Sequence, residues 1–193
     1  HFNQDAANNV YSLTKYAAEM EVWRATQEGL DAVIVNPGVI LGAGSWHTGS
    51  GAIFKLAHKG MSIFTSGSIA VVDVRDVVLA MQGLMNSDLK NERYILVGAT
   101  LSYKEFTKEL ALAFDKNPPK KEIAEWKLLL ISSIDGLVSS LFGTKRKLQK
   151  ANVKSLYTRS NYNAHKIEKA LSFSFTTISQ TIKRVASDYK SEH

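Results

Sequence analysis

The sequence predicts an α/β fold with a mostly parallel sheet, followed by a smaller, mainly helical lobe. Three observations predict it. Between residues 9 and 98, short β-branched runs alternate with helix-length segments. The run Ala32–Val35 is apolar at consecutive positions, the pattern of a strand covered on both faces. After Gly98 the strand-like runs stop and helical segments take over.

The elements follow in order. Residues 9–28 carry Ala17, Ala18, Glu19, Met20 and Glu21, good helix formers, and Gly29 is a natural stop. The strand at 32–35 comes next and Asn36-Pro37-Gly38 ends it. A glycine-rich loop is expected over 38–51, then a helix over 52–60 and a strand over 69–74. Residues 75–86 predict a helix with Val77, Val78, Met81, Leu84 and Met85 on one apolar stripe, and 93–97 a further strand. Ser102 with Glu105 makes a capping box, opening a helix that runs to about Phe114 before Pro118-Pro119 breaks the chain. Residues 121–143 predict a long helix with a break near Gly136, a core helix of the second lobe with an interfacial helix as the alternative, and 163–171 and 176–190 two closing helices.

The chain has 193 residues and 45% apolar content, enough to bury a real core. It holds no cysteine, which excludes disulfide scaffolds, thiolate metal sites and cysteine nucleophiles. No apolar run reaches transmembrane length and the polar start HFNQDAANN is no signal peptide, so no membrane partner is expected and a cytoplasmic location is. The absence of an initiator Met reads as a piece of something longer. Charge is uneven: residues 1–98 carry 7 basic against 9 acidic side chains, residues 99–193 carry 17 against 9, so the net +6 sits in the second half. The basic clusters at Lys116–Lys121 and Lys145–Lys154 attract anions or form a solvated helix face; no aromatic pattern among them marks a nucleic-acid binder, and none is expected. His47, His58 and His165 lack ligand spacing, so no metal site is expected.

The most informative motif is Tyr11-Ser12-Leu13-Thr14-Lys15. A Tyr and a Lys four apart on a helix project from the same face. A nearby ammonium favours the phenolate, and a Tyr tuned that way can pass a proton to or from a substrate oxygen. Taken alone the pair is a common surface arrangement. Its context is more specific: GLDAVIVNPGVILG at 29–42, VVDVRDVVLAM at 71–81, ERYILVG at 92–98 and YNAHKIEKALSFSF at 162–175. With these motifs the chain resembles the extended short-chain dehydrogenase/reductases, the branch of NAD-dependent epimerases, dehydratases and dihydroflavonol reductase-like enzymes. The resemblance spans nearly the whole chain, most specifically residues 9–98.

The resemblance implies a C-terminal part of a Rossmann-type parallel sheet over residues 1–98, with 42–70 lining the substrate site, and a substrate-binding lobe over 99–193. It implies NAD or NADP as cofactor. It casts Tyr11 as the acid/base and Lys15 as the group that lowers its pKa and hydrogen-bonds the nicotinamide ribose. The backbone of Pro37, Gly38 and Val39 would meet the nicotinamide carboxamide. Asp73, Arg75 and Asp76 match a motif that braces the sheet, although Arg75 can instead reach an anionic substrate group. Trp46 in the glycine-rich loop either walls the substrate pocket or anchors the loop. The expected function is a small-molecule oxidoreductase that reduces a carbonyl or oxidises an alcohol, with a homodimer as an expected assembly. The alternatives are a nucleotide-sugar epimerase or dehydratase, and a non-catalytic dinucleotide-binding regulator. The glycine fingerprint for a pyrophosphate is absent: Gly42-Ala43-Gly44 begins like one, but His47 stands where the third glycine belongs. The 193 residues by themselves are therefore expected to be inactive, and to expose apolar surface or cover it by pairing.

Overall fold

The computed structural model of the chain describes residues 10–142 and 150–193, with side chains over 12–135 and 152–193. The helix expected first is α1, Val10–Gln27. The strand expected to end at Asn36 runs further, as β1 Val33–Pro37, and the presumed loop after it begins as a second strand, β2 Val39–Leu41. Then come α2 Gly49–Lys59, β3 Ile63–Phe64, β4 Ser68–Asp73, α3 Val74–Met85 and β5 Glu92–Leu96. The second half holds β6 Ala99–Ser102, α4 Tyr103–Ala113, β7 Lys121–Glu122, α5 Glu125–Phe142, α6 Lys150–Ser155, α7 His165–Leu171 and α8 Ile178–Glu192.

β1 pairs in parallel with β5, and β2 in parallel with β4, whose other edge takes β6 antiparallel. β3 and β7 form a separate parallel pair. The change of partner between β1 and β2 occurs at Gly38. Its N–H donates to the Leu96 carbonyl of β5 at 3.0 Å. A Cβ there would lie 2.7 Å from the Ala70 oxygen of β4, so the close approach requires glycine.

Successive residues of β4 feed opposite cores, as a strand covered on both faces must. Val71 packs with Leu41, Phe54, Phe106, Leu110, Ile182 and Val185, under α2, α4 and α8. Val72 packs with Val77, Leu84, Tyr94, Leu96 and Ile167, under α3 and α7. The layers are therefore helix, sheet, helix. The capping box forms as expected: the Ser102 hydroxyl accepts from the Glu105 N–H, and the Glu105 carboxylate accepts from the Ser102 N–H.

Two expectations about helix faces need correction. The buried face of α3 is Asp76, Val77, Ala80 and Leu84, whereas Val78, Met81 and Met85 point outward. Counting apolar residues placed the stripe one position too broadly, because the small Ala80 is what admits close packing on the sheet. α5 runs through Gly136 without a break. It is also not simply a core helix: Ser132 is fully buried while Trp126, Leu130, Ile131 and Ile134 are exposed. No helix among the described residues is long and apolar enough to cross a membrane.

Candidate active site

The candidate site is assembled from α1 and the ends of β1, β2 and β4. Lys15 stands exposed on α1, within the helical turn that also holds Tyr11. The Tyr11 side chain lies outside the described residues. Pro37 closes β1, Gly38 makes the crossing, and Val39 opens β2 with its side chain exposed. These three residues sit at the carboxyl end of a parallel strand, the position where open α/β sheets bind ligands.

Glu19, one turn beyond Lys15, connects these pieces. Its side chain is 13% exposed. Its carboxylate accepts from Arg93 Nη1 of β5 at 2.8 Å, from Asn36 Nδ2 of β1 at 3.2 Å and from Trp23 Nε1 on its own helix at 3.3 Å. Burial alone would raise the Glu19 carboxyl. The hydrogen bonds from Asn36, Arg93 and Trp23, with the Arg93 charge, outweigh it and hold the group below its ordinary range. The other amide atom of Asn36, Oδ1, is buried with no hydrogen-bond partner, beside the Pro37–Gly38 turn.

Asp73 and Asp76 tie the sheet to α8. Asp73 caps α3 by accepting from the Arg75 N–H at 2.8 Å. It also accepts from Thr181 Oγ1 at 2.8 Å and, through both oxygens, from Arg184 Nη2 at 2.7 Å. Burial acts to raise this carboxyl, but Arg184, the Arg75 N–H and Thr181 overcome it and the net shift is downward. Asp76 takes both the N–H and the hydroxyl of Thr176, just before α8. These acids have the bracing geometry that their motif implied. The Arg75 side chain is exposed.

Trp46 is 5% exposed, meets Tyr189 edge-on at 5.0 Å and donates from Nε1 to Glu192 of α8. That is the environment of a loop anchor. Gly42, the start of the false fingerprint, abuts α3 instead: a Cβ there would lie 2.6 Å from Val74 Cγ1. Among the described residues no three His, Asp or Glu side chains gather as a metal site.

Sequence reasoning missed Glu19, Asn36 and Arg93 as a group. Glu19 falls at helical spacing from Lys15 and was findable. Its partners, 17 and 74 residues away, were not. The same holds for Thr181, Arg184 and Glu192.

Comparison with known proteins agrees with this architecture. A family model described as "Male sterility protein", of NAD-binding type, matches residues 3–80. A putative dihydroflavonol 4-reductase of Synechocystis sp. is 27% identical over 180 residues, covering 89% of this chain and 52% of that protein. In sequence the chain is similar to such a reductase, and in fold to the structures that follow. The crystal structure of gox2253 superposes with a TM-score of 0.79 at 19% identity, over 100% of this chain and 59% of that one. The dTDP-glucose 4,6-dehydratase of Bacillus anthracis, determined in complex with NAD, gives 0.67 at 13% identity, over 95% and 53%. The chain thus spans about half the length of the curated reductase that it matches.

Proposed function

We propose that the chain supplies the acid–base pair, the nicotinamide-side turn and the substrate lobe of an NAD(P)-dependent oxidoreductase. It would reduce a carbonyl or oxidise an alcohol of a small molecule. One observation carries the reading. Tyr11 and Lys15 lie one turn apart on a helix that Glu19 ties, through Asn36, to the strand end at Pro37-Gly38. The similarity to a dihydroflavonol 4-reductase supports it.

The residues present fit the nicotinamide half of such a cofactor. An exposed lysine on α1, a glycine turn at a strand's carboxyl end and the orphaned Asn36 Oδ1 beside that turn are the groups available to it. Lys15 would hold the ribose, and Pro37, Gly38 and Val39 would face the carboxamide. When bound, the nicotinamide supplies the hydride chemistry. Tyr11 Oη gives its proton to the substrate oxygen as that oxygen gains charge, and recovers it in the reverse direction. The Lys15 ammonium favours the phenolate that remains. Asp73 and Asp76 hold α8, and with it the end of the substrate lobe, against the sheet.

In this reading residues 1–98 belong to the dinucleotide-binding part, with 42–70 lining the substrate site, and 99–193 form the substrate lobe. The Arg75 side chain, exposed beside Asp73, takes no part in the bracing, to which only its backbone N–H contributes, and suits an anionic substrate group. The reading also implies a cytoplasmic enzyme. Two copies would meet through α1, which turns Leu13 and Met20 outward. The test is incubation of the complete enzyme with NADH or NADPH and a panel of carbonyl compounds. Stoichiometric nicotinamide oxidation supports an oxidoreductase. Conversion of a nucleotide sugar without net cofactor consumption would replace that reading with an epimerase or dehydratase.

A further inference from the structure

We infer that Glu19 is a positioning residue, whose carboxylate sets where the Lys15 face of α1 stands relative to the Asn36–Pro37–Gly38 turn. The inference deepens the oxidoreductase reading and rests on it. Lys15, Glu19 and Trp23 fall at intervals of four residues and lie one above another on one stripe of the helix. The described residues of α1 contribute nothing to either apolar core, and Thr26 alone among their side chains is buried. Apolar packing therefore does little to fix the rotation or the height of this helix on the sheet.

The polar junction restrains both. A carboxylate can accept several hydrogen bonds at once, and those from a guanidinium are charge-assisted. Glu19 takes one from β5 through Arg93 and one from β1 through Asn36. Two donors on neighbouring parallel strands restrain where on the sheet the helix can stand. Asn36 is bonded to Pro37, so the same contact orients the turn that faces the nicotinamide. Without the carboxylate, Lys15 and the turn lose their common reference, while the parts of the cofactor held elsewhere keep theirs.

The test is Glu19→Ala in the complete enzyme. Turnover is measured per dinucleotide-binding site, so that any loss of folded protein divides out. Misplacement by about 1 Å can cost on the order of 100-fold, so kcat should fall by about that factor while the dinucleotide dissociation constant changes little. Glu19→Gln keeps one acceptor oxygen and should recover part of the loss. Asn36→Ala and Arg93→Gln each remove one tie and keep the test open if Glu19→Ala fails to fold. Both should lower kcat in the same direction, and each should be non-additive with Glu19→Gln. A purely structural Glu19 would lower the melting temperature and leave kcat per site unchanged, which overturns the inference alone. A wild-type enzyme that turns over no carbonyl or alcohol with a nicotinamide overturns the oxidoreductase reading, and this inference with it.

Discussion

At the scale of single residues, carboxylates fix much of the geometry around the candidate site. Asp73 is 1% exposed and is shared by Arg184, Thr181 and the cap of α3. Removing it leaves the partly buried Arg184 guanidinium without its closest counter-charge, a loss of about 3 kcal/mol. Asp73→Ala should therefore lower the urea midpoint markedly, and Asp73→Asn by less. The pH dependence has a definite sign. The folded-state pKa of Asp73 lies below its ordinary 3.8, so its stabilisation is complete above that value and is lost as pH falls below it. The melting temperature should drop on acidification through that range, and Asp73→Asn should flatten the drop. The placement of Tyr11 and Lys15 one turn apart on α1 was legible because a four-residue spacing on a helix is local information. Glu19 carries the same spacing, but its meaning depends on Asn36 and Arg93, which only the fold brings to it. Trp46 was equally open in the sequence. Glu192, 146 residues away, decides its environment.

At the scale of elements, the long helices and the buried strands were legible from periodicity and from caps such as Ser102–Glu105. The short strands β2, β3, β6 and β7 were not. Strands of two to four residues are defined by their partners, and β2 exists because Gly38 lets the chain change from β5 to β4. The face of α3 shows a second limit. Apolar residues occupy two adjacent stripes, and only the sheet decides which is covered. Leu84 is 2% exposed and Met85 78%. Leu84→Ala should then cost about 2 to 5 kcal/mol, while Met85→Ala should stay within about 0.5 kcal/mol. Denaturant midpoints of the two variants check this, and similar losses at both would contradict the face described. The outward apolar face of α5 was hidden for the same reason, since a helix rich in Leu and Ile reads as core until its surroundings are known.

At the scale of the whole molecule, the two cores on either face of β4 make an α/β sandwich whose β1 edge pairs with β5 alone among the described residues. The sequence contains no pyrophosphate-binding glycine turn, since Gly42 is spent on contact with Val74. The 193 residues by themselves should therefore show no turnover with NADH or NADPH, and steady-state assays of the isolated chain check this. The cluster Lys116–Lys121 contains exposed Lys116, Lys120 and Lys121, and residues 145–149 of the cluster Lys145–Lys154 lie outside the described residues. The fold class was legible from the alternation of strand and helix, because that alternation admits few topologies. The substrate was not, because no motif or spacing in the sequence specifies one. The most direct test of the account is transfer of hydride by the complete enzyme carrying Tyr11→Phe, measured with isotopically labelled nicotinamide and an accepted substrate. Loss of the phenol proton should lower kcat by about 100- to 10,000-fold with nicotinamide binding retained. Unchanged transfer in Tyr11→Phe would contradict the assignment of the acid–base pair and of the function built on it.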